Sequence, residues 1–92
     1  MPKYIIGLKL IENQTDQALA ESIKRVAQIR TAHQGQLIAS YVTFGRYDMI
    51  WIAEYPSERS AFDAMNTIQD QGLFKYEIAE AITLEEFLAK NT

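Results

Sequence analysis

The chain is 92 residues long, 48% hydrophobic and 23% charged, with a formal net charge of -3 and no cysteine. That balance is ordinary for a globular protein and excludes a disordered or collagen-like chain. The acidic excess argues against a dedicated nucleic-acid binder, and the missing thiols exclude a disulfide framework, a thiolate metal site and a cysteine nucleophile.

Residues 3–12 (KYIIGLKLIE) read as a first strand, because Ile5 and Ile6 favour the extended form and Lys9 sets an alternation. The opening Met1-Pro2-Lys3 turns polar too soon for a signal peptide, and no apolar run approaches the ~18 residues of a membrane span. A cytoplasmic location and no membrane partner are the expectation. From Asn13 to about Gln34 the pattern becomes helical. Leu19, Ile23, Val26 and Ile29 recur at helical spacing, Thr15 or Asp16 can cap the start, and Gly35 can end it with His33 in the last turn.

Residues 36–44 (QLIASYVTF) and 48–55 (DMIWIAEY) are two further strands, joined through Gly45-Arg46-Tyr47 as a hairpin. Pro56 stops the third strand and Ser57 can cap a second helix with an apolar stripe of Ala61, Phe62, Met65 and Ile68, closed by Gly72. Residues 73–82 (LFKYEIAEAI) read as the fourth strand. A short last helix has the best-marked start: Thr83 and Glu86 fit a capping box, and Ile82 and Phe87 fit a hydrophobic staple.

The order strand, helix, strand, strand, helix, strand points to one compact solution in a single domain over residues 1–92. It is an α+β, ferredoxin-like βαββαβ arrangement with antiparallel sheet order 4-1-3-2, both long helices on one face, and a short C-terminal helix. The other face is the informative one. The third strand splits into Met49, Trp51, Ala53 and Tyr55 against Ile50 and Ile52. The second splits into Leu37, Ala39 and Tyr41 against Ile38, Val42 and Phe44, and the first into Tyr4, Ile6, Leu8 and Leu10 against Ile5, Gly7 and Ile11. None of these sets is polar, yet two helices cover only one face. Two sheets packed face to face, a dimeric α/β barrel, would bury the remainder and contribute on the order of 10 kcal/mol before association costs. Which set faces the helices is left open by the pattern.

Thr43-Phe44-Gly45-Arg46-Tyr47-Asp48, followed by alternating Ile50, Ile52 and Glu54 and then Pro56, resembles the GYD domain family. The opening Pro2-Lys3-Tyr4-Ile5 and the closing Ala81-Ile82-Thr83-Leu84-Glu85-Glu86-Phe87 are similar to that family as well, so the resemblance spans nearly the whole chain. The chain departs from it at Ser57-Glu58, where the family often carries acidic residues, and this bears on the cap of the second helix. The resemblance implies a dimeric α/β-barrel fold and small homo-oligomers. It carries over no activity.

Arg46, Tyr47 and Asp48 admit two readings. They are a polar cluster that orients an anionic or carbonyl ligand, with Arg46 as donor, or they are turn chemistry, in which Asp48 accepts backbone N–H bonds of the glycine turn, Tyr47 packs its ring over the adjacent helix end and Gly45 supplies the special backbone angle. Tyr4, Tyr41, Trp51, Tyr55 and Tyr76 either line a pocket for a flat apolar ligand or form dimer core. An RNA-stacking sheet is disfavoured by the charge. His33, the lone histidine, reads as a residue suited to a helix C-terminus. Glu77 and Glu80 sit three apart on a strand and so point to opposite faces, which gives no metal site. No cofactor is implied.

Two functions follow. One is a non-enzymatic homo-oligomeric module, a homodimer or larger, that binds a small-molecule ligand or serves assembly. The other is a cofactor-independent monooxygenase or isomerase-like enzyme acting on a small organic substrate, an analogy of fold. The candidate ligand-binding residues are Tyr41, Arg46, Tyr47, Asp48, Trp51 and Glu54. Proton-transfer chemistry would need two of Tyr41, Arg46, Tyr47, Asp48 and Glu54 pointing into one buried cavity.

Overall fold

Seven elements realise this order in a computed structural model, which describes residues 1–11, 15–72 and 74–90. They are β1 (Lys3–Leu10), α1 (Asp16–Ala32), β2 (Gln36–Val42), β3 (Met49–Glu54), α2 (Glu58–Asp70), β4 (Phe74–Ala81) and α3 (Leu84–Lys90). The expected strand end at Glu12, helix start at Asn13 and strand start at Leu73 lie outside the described residues. The four strands form one antiparallel sheet in the order β2-β3-β1-β4. This is the expected ferredoxin-like 4-1-3-2 topology with a short C-terminal helix.

Each helix begins where its sequence provides an acceptor. Thr15 Oγ1 accepts from the Ala18 N–H at 3.1 Å, and Ser57 Oγ accepts from Ser60 N–H at 3.1 Å. Serine therefore caps α2 at the position where the chain departs from the resemblance. Thr83 Oγ1 accepts from Glu86 N–H at 3.0 Å. The reciprocal half of the expected box differs: Glu86 Oε1 takes the Thr83 hydroxyl at 3.2 Å rather than the Thr83 backbone N–H.

The end of α1 also differs from expectation. His33 Nδ1 lies 2.9 Å from the Ile29 carbonyl, as suits a last-turn histidine, but the left-handed residue is Gln34, at φ 60°. Gly35 serves a different purpose. A Cβ there would stand 2.4 Å from Tyr55 Cε1 and 2.8 Å from Arg30 Cγ, so only glycine lets the chain pass this close to the core.

The structure decides which sheet face the helices cover. Tyr4, Ile6 and Leu8 of β1, Met49, Trp51 and Ala53 of β3, Tyr55 beyond it, and Phe74 of β4 are buried beneath Val26 of α1 and Ala61, Ala64, Met65 and Ile68 of α2. Tyr4, Trp51 and Tyr55 thus belong to this chain's own helix–sheet core. Most of both expected helical stripes meets the core, with Leu19, Val26 and Ile29 of α1 and Ala61, Met65 and Ile68 of α2 packed there, and one residue of each departs from it. In α1 the buried line runs through Ser22, Val26 and Arg30, and Ile23 is exposed; in α2 Ala64 takes the place of Phe62, which is exposed. The small residues Ser22, Ala61 and Ala64 allow close approach, and Ser22 satisfies its hydroxyl on the Ala18 carbonyl at 2.8 Å. Arg30 stacks its guanidinium 5.2 Å from the Trp51 ring centroid.

The strict alternation expected of the second strand also fails. The β2–β3 register shifts between Leu37 and Ala39, a bulge. Leu37 pairs with Ala53 on the helix side, whereas Ala39 and Tyr41 pair with Ile52 and Ile50 on the open side. The open face therefore carries Ile5, Ile50, Ile52, Ala39, Tyr41 and Ala79 together, with no helix above them. Among the described residues no helix is long and apolar enough to cross a membrane.

Candidate functional site

Six residues, 43–48, join β2 to β3, and they bend back over the open face of the sheet. Backbone and side-chain bonds fix that path. Thr43 N–H donates to the Asp48 carbonyl at 3.0 Å, Asp48 N–H donates to the Leu8 carbonyl at 2.9 Å, and the Thr43 hydroxyl donates to the Tyr47 carbonyl at 2.6 Å. The result lays the Tyr47 ring on Gly7 of β1, and not over a helix end as the turn reading expects. A Cβ at position 7 would stand 2.6–2.8 Å from three ring carbons. Gly7 is thus the mid-strand glycine that a close approach requires.

Beyond the ring, β4 supplies the polar end. Glu77 is the register partner of Gly7. The Tyr47 hydroxyl donates to Glu77 Oε2 at 2.6 Å, and Arg46 donates to Glu77 Oε1 at 3.1 Å. The Arg46 guanidinium lies 5.6 Å from the Tyr47 ring centroid. These contacts set the charge states. The Tyr47 hydroxyl and then Arg46 hold the Glu77 carboxyl below its usual range, and Glu77 in turn raises Tyr47 and Arg46. Glu77 stays ionised and Tyr47 stays protonated across neutral pH. Proton transfer would need the opposite, groups drawn toward pH 7.

Two clefts flank the Tyr47 ring. One, of about 320 Å³, is lined by Lys9, Arg46, Tyr47, Lys75 and Glu77 over Gly7. The other, of about 180 Å³, is walled by Ile5, Ile50, Ile78 and Ala79 and shares Tyr47 and Glu77. The structure brings Arg46 and Tyr47 together here, with Tyr41 on the same face opposite Ile50. Glu54 stands at the far end of that face, between Lys3 and Gln36, beside a separate cleft of about 190 Å³. Trp51 lies on the other side of the sheet, buried against Phe74 with ring centroids 6.3 Å apart, so it lines neither cleft beside Tyr47. The alternation across β3 puts it there.

Asp48 has a structural task, although not the one expected. Its Oδ2 accepts from the Leu10 N–H at 2.8 Å, tying the loop to the end of β1 instead of satisfying the glycine turn. Replacing it with alanine is expected to cost roughly 1–2 kcal/mol, the penalty of an unpaired, part-buried N–H. Asp48→Asn should recover part of this, since the amide oxygen still accepts. Thermal melts of the two variants check the order parent, asparagine, alanine.

Gly7, Lys9, Lys75 and Glu77 were missed as site residues. A glycine inside an aliphatic strand is the one local signal that marked the place; the others become neighbours only through the β1–β4 register.

A family model described as the GYD domain matches residues 4–89. The chain belongs to the GYD domain family. No curated protein matches it at significant similarity. Solved structures share the fold of this GYD domain chain at low identity. The 30S ribosomal protein S6 of Thermotoga maritima superposes with a TM-score of 0.70 at 13% identity, covering 98% of this chain and 96% of that one. The leucine response regulatory protein of Mycobacterium tuberculosis gives 0.66 at 12%, covering 89% of this chain and 51% of that one. The feast or famine regulatory protein of M. tuberculosis, solved with L-methionine, gives 0.64 at 14%, covering 90% and 51%. The GYD domain chain thus spans about half the length of those two regulators.

Proposed function

We propose that this GYD domain chain works in the cytoplasm as a homodimer, open sheet face against open sheet face, and binds a small molecule beside Tyr47. The observation that carries the reading is the uncovered apolar face, where Ile5 and Tyr41 are 43% and 54% exposed alongside Ile50, Ile52 and Ala79. The last helix supports it, because Leu84, Phe87 and Leu88 are each at least half exposed in the single chain. Covering this face in a barrel would enclose the two clefts beside Tyr47 and remove them from bulk water. The L-methionine in one fold relative supports a small-ligand role by analogy of fold. The charge states of Glu77 and Tyr47 favour binding over the alternative, a monooxygenase or isomerase-like activity. Sedimentation at micromolar concentration should give twice the chain mass of 10.5 kDa. A single 10.5 kDa species throughout that range would remove the homodimer.

A further inference from the structure

We infer that the larger cleft beside Tyr47 is a carboxylate site for a small organic anion with an apolar body, an assignment that rests on the ligand-binding reading above. Lys9 and Lys75 are register partners across β1 and β4, on the open face. Like charges directly opposite one another destabilise a sheet, so the pair has no structural reward of its own. The chain as a whole is acidic, at -3, which makes a concentration of cations in one cleft a local departure.

The anions already present do not neutralise it. Glu77 is occupied by Tyr47 and Arg46 on its two oxygens. Asp48 gives one oxygen to the Leu10 N–H, and its other oxygen reaches Lys9 only at 4.0 Å, with both side chains partly exposed. Lys75 has no ion pair among the described residues. Two lysines therefore line a space of about 320 Å³ with donor capacity left for an incoming anion. The rest of the lining is mixed: Arg46 and Glu77 pair with each other at one side, and apolar surface lies beside them. Gly7 forms a floor without a side chain, the Tyr47 ring forms a wall, and Ile5, Ile50 and Ala79 continue beyond it. A carboxylate between the lysines with its hydrocarbon part along the ring satisfies both halves, whereas an inorganic anion uses only the first.

Benzoate, its neutral analogue benzamide and inorganic phosphate are suitable probes, titrated at low salt and followed by amide NMR shifts and calorimetry. Benzoate is expected to bind with shifts centred on Gly7, Lys9 and Lys75, at least tenfold tighter than benzamide and tighter than phosphate. Lys9→Gln and Lys75→Gln, both at exposed positions, should each weaken benzoate about five- to tenfold, the loss of one charge-assisted contact, and added salt should weaken it further. No benzoate binding at tens of millimolar, equal binding of benzamide, or unchanged affinity in both lysine variants would overturn the assignment. Phosphate binding tighter than benzoate would overturn it too, by making the cleft an inorganic-anion site. Sedimentation of the same samples separates the two readings. A dimer that ignores benzoate removes this inference and leaves the assembly, whereas a monomer that binds benzoate removes the assembly and leaves the site.

Discussion

Replacing Trp51 with alanine is expected to destabilise the chain strongly, whereas replacing its neighbour Ile52 with glutamate is expected to leave it folded and split the proposed homodimer. The two residues are adjacent in β3 and point to opposite faces. Trp51 is 3% exposed, edge-on to Phe74 and beneath Arg30. Its truncation removes the largest side chain of a small core and leaves a cavity, at about 3–5 kcal/mol. That is a large share of the 5–15 kcal/mol by which a typical domain is stable. Alanine is a cleaner change here than glutamate, because Arg30 would pair with a carboxylate at position 51 and blunt the effect. Ile52 pairs with Ile5 and Ala39 on the face that no helix covers. A glutamate there is solvated in the single chain. In a two-fold dimer it enters the interface twice, which amounts to roughly 3–4 kcal/mol and a loss of two to three orders of magnitude in dimer affinity. Circular dichroism separates the outcomes from sedimentation: Ile52→Glu should keep its far-ultraviolet spectrum and sediment as the single chain. Its melting temperature should also be independent of concentration, as for any chain whose folding is not coupled to association. An Ile52→Glu protein that remains a dimer would place the interface elsewhere.

The same adjacency explains what the amino-acid pattern can and cannot convey. The order of elements was legible because glycine, proline and capping residues punctuate it: Thr15, Ser57 and Thr83 all cap helices as their chemistry suggests. That both faces of the sheet are apolar was legible too. Which set the helices cover was not, because Ile50 and Ile52 are as hydrophobic as Met49 and Trp51, and alternation between two apolar sets has no sign. The bulge in β2 leaves no mark in QLIASYV, yet it moves Ala39 and Tyr41 to the open face. Each helical stripe missed by one residue, because the sheet selects small residues at the points of closest approach, so Ala64 is taken over Phe62. In the site, Arg46 and Tyr47 were visible as a cluster in one loop. Lys9, Lys75 and Glu77 come from two strands more than sixty residues apart, and their meeting depends on a register that no local pattern encodes.

Gly7→Ala should dismantle the site without unfolding the chain, and this is the sharpest test of what Tyr47 is for. The new methyl group would overlap three carbons of the Tyr47 ring at 2.6–2.8 Å, closer than carbon atoms approach. The strand cannot give way, because Ile6 and Leu8 on either side are fully buried. The ring can, since Tyr47 is only half-buried and its loop lies at the surface. Its hydroxyl then leaves Glu77, and Arg46 loses the aromatic face beside it. The stability change is small because opposing effects meet. Glycine inside a strand is unfavourable by roughly 0.5–1 kcal/mol relative to alanine, while loss of the exposed ring contact costs a similar amount. A melt alone therefore stays within about 1 kcal/mol of the parent, and the readout is the ring itself. In an NMR spectrum the ring-current shift expected at Gly7 in the parent should vanish from position 7 and the Glu77 amide should move. Tyr47→Ala in the parent should produce the same Glu77 shift, and adding it to Gly7→Ala should change little more, because both substitutions remove one contact. If Gly7→Ala leaves the Tyr47 and Glu77 signals in place, the ring does not rest on position 7, and the two clefts it divides lose their common wall.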